Sequence, residues 1–212
     1  MADISATLRR QWDRDVAAIG GTELAADRVL ADIVGRHSET HRRYHGQSHL
    51  IALFDLMDLH APQIAPGSPP RLAVWWHDLV YDPRARDNED RSADIARQRL
   101  DAMGAKPPVI DETCTLILMT KNHWDGPSAG DGDYFLDADI AILGAPPAVY
   151  DVYAANVRHE YAFASDDAFR AGRSAFLKSA SARPRLFRTD VFETTYAAQA
   201  RANMQREIAS LA

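Results

Sequence analysis

The chain has 212 residues, 46% of them apolar and 25% charged, the balance of a folded globular protein long enough for one domain with a real core, which excludes wholesale disorder. A formal net charge of −6 offers no basic stripe for a nucleic-acid polymer or an anionic membrane surface, and no apolar run approaches the roughly 20 residues of a membrane span. The N-terminal stretch MADISATLRRQWDRD lacks the apolar core of a signal peptide, and the single cysteine, Cys114, excludes an internal disulfide framework. A cytoplasmic protein is therefore expected.

Residues 3–19 space Ile4, Leu8, Trp12, Val16 and Ile19 three and four apart, and Leu24, Val29, Leu30, Ile33 and Val34 form a stripe over 22–36. Both segments are predicted to be amphipathic helices. A third helix is predicted over about 44–60, with Leu50, Leu53, Phe54 and Met57 on its apolar face. APQIAPGSPP is a loop, and RLAVWWHDLVY is too apolar to lie anywhere but inside. YDPRARDN breaks the chain. Asp87 is then the predicted N-cap of the helix NEDRSADIARQRLDAM, with Asp90 in its first turn, and Gly104 ends it. Pro107 and Pro108 open a helix running to about His123, and Cys114 within it reads as a small core residue. WDGPSAGDGD is an exposed loop. Four more helices are predicted near 135–143, 147–164, 166–181 and 189–210. No segment shows strict alternation, so the expected fold is all-α: one domain over 1–212, a bundle of eight to ten helices.

Four of the eight histidines stand at 37, 41, 45 and 49, in HSETHRRYHGQSH. A spacing of four stacks side chains on one helix face, with a drift of about 40° per step. His37 and His41 are expected at the surface. His45 would either share a cavity with His49 or sit in solvent, and Gly46 is a point where the helix could break. In LAVWWHDLVYD, His77 and Asp78 directly follow Ala73, Val74, Trp75 and Trp76. A buried carboxylate is costly unless it is paired, so Asp78 calls for a metal or for a hydrogen-bonded histidine. FLDADIAILG sets Asp137 and Asp139 inside another apolar run. Two imidazoles and two carboxylates from separate helices are a donor set for one divalent cation.

The order His…His-Asp…Asp on helices resembles the HD-domain superfamily of metal-dependent phosphohydrolases. RRYHGQSHLIAL, AVWWHDLVYDPRARDNEDRSA and FLDADIAILGAP, within about residues 40–165, are similar to a bacterial branch described as predicted HD-superfamily phosphohydrolases. The resemblance implies a bundle of the HD type with His49, His77, Asp78 and Asp139 as metal ligands. Asp139 is preferred to Asp137 because the family's last carboxylate commonly follows an alanine and precedes apolar helix. It implies hydrolysis of a phosphate ester of a small metabolite, nucleotides among the candidates, by metal-activated water. Asp78 would then act in catalysis as well as ligation, and Glu89 would position or activate the water, unless Glu89 is simply a first-turn carboxylate at a helix N-terminus.

His45, Lys121 and His123 are the expected substrate contacts, with Arg84, Arg86 and Arg91 as further cations that bind phosphate or line the surface. His123 could instead serve a second metal or close a helix C-terminus. Mixed nitrogen and oxygen donors suit Mn, Fe, Co, Ni or Zn better than Mg, and the lack of a cysteine ligand argues against structural zinc. The partner expected is a small phosphorylated substrate. The helices of 147–212 carry no chemical motif and would cover the site or form a homodimer surface. A non-catalytic, metal-containing nucleotide-binding or regulatory module is the alternative reading, and a di-iron oxygenase a more distant one.

Overall fold

Trp12 stands edge-on to both Trp75 and Trp76, with ring centroids 5.1 and 5.8 Å away, and around this trio the helices assemble. A computed structural model describes residues 4–21 and 23–211, without the side chains of 23–25; the Leu24 position of the predicted stripe therefore lies outside the described residues. The elements are α1 (Ile4–Ile19), α2 (Glu23–Arg36), α3 (Gln47–His60), α4 (Pro69–Trp76), α5 (Asn88–Ala102), α6 (Pro107–Met119), α7 (Gly132–Ile140), α8 (Pro147–Glu160), α9 (Asp166–Ser181) and α10 (Asp190–Leu211). Short 3-10 turns follow α6 and α7 at Thr120–Asn122 and Ala141–Gly144. Among the described residues there is no strand, and the fold is all-α. No described helix is long and apolar enough to cross a membrane.

α4 is the axis of the core. Every residue from Pro70 to Trp76 is buried, which explains a helix apolar on all sides. Its one charged residue, Arg71, is spent inside the protein. It reaches Asp58 at 2.6 Å and the fully buried Asp15 at 3.3 Å, and Asp15 also accepts from the Gly67 amide and Trp75 Nε1, both at 2.9 Å. Buried charge is tolerated here because both Asp15 oxygens accept hydrogen bonds and one comes from a guanidinium. Cys114 is buried in the same core. α5 stops where predicted: Gly104 takes φ +85°, and the Ala105 amide returns to Leu100 O at 3.0 Å, a turn glycine makes without steric cost.

Several boundaries differ from the sequence expectation, and the differences matter at the site. α3 starts at Gln47, with Gly46 extended at its N-cap, so the four histidines do not share a helix face. α4 ends at Trp76; His77 caps it and Asp78 lies in the turn beyond. α6 stops at Met119 and tightens into the 3-10 turn before His123. Asp87 does occupy the N-cap of α5, but its side chain makes no capping bond. Asn88 ties the loop instead, its Oδ1 accepting from the Asp82 amide and its Nδ2 donating to Asp82 O.

Candidate metal centre and its cavity

The helix ends bring together three residues that lie far apart in sequence. His49 comes from the first turn of α3, His77 from the cap of α4, and Asp139 from the last turn of α7. His49 Nε2 lies 3.0 Å from Asp139 Oδ1 and 3.2 Å from His77 Nε2, and His77 Nε2 lies 3.5 Å from Asp139 Oδ1. Asp78 Oδ2 joins at 3.2 Å from His77 and 3.7 Å from His49. Donors bound to one ion at about 2.0–2.2 Å stand about 2.8–3.6 Å from one another in octahedral or tetrahedral arrangements. The observed spacings are close to those edges, and His49, His77 and Asp139 form a group able to hold a metal ion.

The chemistry of the donors agrees. His77 Nδ1 is 3.1 Å from Val74 O, which holds a proton on that nitrogen, so a cation that displaces the second proton would meet the Nε2 lone pair. Both imidazoles are 1% exposed, Asp139 12% and Asp78 20%, so the carboxylates sit in a poorly hydrated pocket and demand positive charge. Burial opposes the Asp139 charge, but His77, His123 and His49 outweigh it and hold this carboxyl well below its usual range. Asp78 is lowered in the same way, burial being overcome by His77 and His45. Burial also opposes a proton on His77, yet Asp78 and Asp139 raise its pKa well above the ordinary value. For His49 burial prevails and the pKa falls.

Asp137 is elsewhere. Its oxygens accept from the Arg188 amide, the Thr189 amide and Thr189 Oγ1, each at 2.7 Å, which pins the start of α10 rather than the cluster. Arg188 in turn clips the loop after the 3-10 turn, its Nε reaching His123 O at 2.6 Å and its guanidinium also bonding Asp125 O and Pro127 O. The loop so held presents His123, whose Nε2 lies 2.6 Å from Asp139 Oδ2. His123, expected at the substrate, thus meets the carboxylate of the cluster and also lines the cavity.

Glu160, at the end of α8, had no signal in the sequence. VRHEY reads as a polar helix end, with none of the apolar flanks that mark Asp78 and Asp139. Its side chain is completely buried. Oε1 accepts the amides of Arg43, Tyr44 and His45 at 2.7, 2.7 and 3.0 Å; Oε2 takes His45 Nδ1 at 2.6 Å and Tyr81 Oη at 2.7 Å. Burial raises the Glu160 pKa, but these donors, His45 foremost, bring it down to about 2. For His45 burial lowers the pKa, while Asp78 and Glu160 outweigh it and raise it. Arg42 fastens the same loop to the His77–Asp78 turn, donating to Asp78 O at 2.5 Å and Leu79 O at 2.9 Å.

The expected surface position of His37 is corrected. It is 3% exposed, its Nδ1 bonds Ile33 O at 2.9 Å, and burial, helped by Arg42, drives its pKa down to about 3. The expectation extended one helix through Gly46, whereas His37 follows the end of α2 and turns inward. His41 is exposed as expected and bonds Tyr81 O.

The cluster opens into a cavity of about 920 Å³ whose polar wall includes Asp78, Arg86, Glu89, Lys121 and His123. Glu89 sits in the first turn of α5. Lys121 Nζ is 2.5 Å from Asp90 Oδ2, so much of its charge is already met. Arg84 packs over the Phe163 ring at 4.6 Å, and Arg91 is 3.9 Å from Asp87 on the surface. α8 and α9 contribute further lining. The fold and the site together define an all-α protein with a buried His–His–Asp group suited to a metal ion. No protein-family model, curated protein or solved structure matches the chain.

Proposed function

We propose that the protein is a metal-dependent phosphohydrolase of the HD-domain type, acting on a phosphate ester of a small metabolite. The observation that carries this reading is the convergence of His49, His77 and Asp139, with Asp78 beside them, at a large cavity. These four residues would hold one divalent cation, with Mn, Fe, Co, Ni or Zn favoured over Mg by the mixed donors. When bound, such a cation supplies charge neutralisation to a phosphoryl group and acidifies water to near neutrality.

The chain's own residues do the rest. Glu89 lines the cavity and is free to orient the attacking water and accept its proton. Arg86 adds positive charge for the phosphate, and Lys121 can do so only by giving up its contact with Asp90. His45 lines the same cavity, and with Nδ1 committed to Glu160 its Nε2 is left to serve substrate. In its protonated form His45 would supply the proton to the departing alkoxide. His123 orients Asp139 through their 2.6 Å contact.

The test is direct. Chelator-stripped protein is replenished with Mn²⁺, Co²⁺ or Ni²⁺ and assayed for phosphate release from nucleotides and simpler phosphate esters. Release that depends on the metal is expected. Absence of release from every ester, with metal occupancy proven, rejects the reading.

A further inference from the structure

The cavity has a second kind of wall. Leu143, Val157, Tyr161, Phe169, Phe176 and Trp124 line it, mostly from α8, the α8–α9 link and α9. The polar atoms on this side are largely consumed by the protein itself. Trp124 Nε1 donates to Leu186 O at 2.8 Å. Tyr153 Oη accepts from Arg173 Nη1 at 3.1 Å, and the rest of that guanidinium goes to Glu207 at 2.8 and 3.1 Å. Arg183 lies over the Trp124 ring at 4.8 Å. Among the described residues Arg183 Nε has no hydrogen-bond partner, so a ligand group seated here finds mainly hydrocarbon and ring faces, with that guanidinium N–H as an unpaired donor beside Trp124.

Gly172 lies in the middle of α9 on this wall. Glycine is the poorest ordinary residue for a helix interior, and the usual reasons for it are missing. Its φ is not positive, and a Cβ built there would meet nothing within 4 Å. What the missing side chain leaves is room, on the helix face between Phe169 and Phe176. We propose that the ester hydrolysed at this site carries a long apolar alcohol group, and that this group lies against α9 over Gly172. The inference rests on the phosphohydrolase reading and narrows it, since a nucleoside would bring several polar edges to a wall with few partners for them.

The experiment titrates n-alkyl phosphonates, from methyl to octyl, into the protein in excess Mn²⁺ and follows binding by calorimetry; their P–C bond resists hydrolysis. Each added methylene is expected to tighten binding about fourfold until the wall is filled, and octylphosphonate to bind better than adenosine monophosphate. Gly172→Phe should weaken octylphosphonate at least about tenfold and leave methylphosphonate unchanged. Affinity independent of chain length in the unaltered protein, or tighter binding of the nucleotide, overturns the apolar assignment while phosphate recognition stands. Failure of every phosphonate to bind overturns both. The chain-length series needs no variant, so it decides the matter even if Gly172→Phe fails to fold.

Discussion

His123 Nε2 lies 2.6 Å from one carboxylate oxygen of Asp139, while His49 Nε2 lies 3.0 Å from the other. Asp139 is therefore shared between the buried cluster and the cavity wall, and its orientation is set from both sides. Groups that orient a ligand carboxylate typically govern metal affinity by about 10–100-fold. His123→Gln is expected to weaken Mn²⁺ or Zn²⁺ by that factor, and Asp139→Asn to abolish tight binding, both read by calorimetry. Unaltered affinity in both variants would remove Asp139 from the centre.

A cation that binds the folded cluster but not the unfolded chain must also stabilise the fold. At a free concentration of about 100 times Kd the gain is about 2.7 kcal/mol. For a chain of this size that raises Tm by about 5–10 °C. Differential scanning calorimetry of chelated and Mn²⁺-loaded protein checks it, and the increment should vanish in the double variant His49→Ala, His77→Ala.

Glu160 gathers three backbone amides, an imidazole and a phenol on one buried carboxylate. Removing one partner of a buried, charge-assisted network costs about 3–5 kcal/mol. Glu160→Ala should lose that much by urea denaturation, far more than Asp151→Ala at the exposed Arg206 pair.

How much of this was legible before the structure follows from where each ionisable residue sits. Asp78 and Asp139 stand inside apolar runs, and an unpaired carboxylate there is expensive enough to be informative. His49 was legible through its helix and its place in the motif order. The helix boundaries around 44–47 and 76–78 were not, because residue spacing alone does not say that Gly46 sits extended at a helix start or that His77 is a cap. The same blindness placed His37 outside. Glu160 and Arg188 act on backbone groups of loops more than fifty residues away in sequence, and no local pattern encodes such partners.

His37 makes acid sensitivity predictable. Its folded pKa is about 3 against 6.5 in an unfolded chain. Below pH 6.5 the unfolded chain therefore takes up a proton that the folded one refuses, and stability falls until about pH 3. By pH 5 the loss is about 2 kcal/mol relative to pH 7. Urea melts of the parent and of His37→Gln at these two pH values test this; the variant should lack that part of the slope.

Glu89 separates turnover from binding. If it orients the attacking water, Glu89→Gln should lower kcat by about 10²–10⁴ with metal and phosphonate affinities unchanged. A parent protein that binds both tightly yet releases no phosphate would be the non-catalytic module instead.

The link from Glu160 to the His45 amide crosses 115 positions of chain. During synthesis, the segment before α3 emerges long before the carboxylate that will fasten it has been made. The imidazole pocket is consequently a late product of vectorial folding: a nascent chain halted short of α8 could pack Trp12 against Trp75 and Trp76 and still lack the anchor that sets His45 in place.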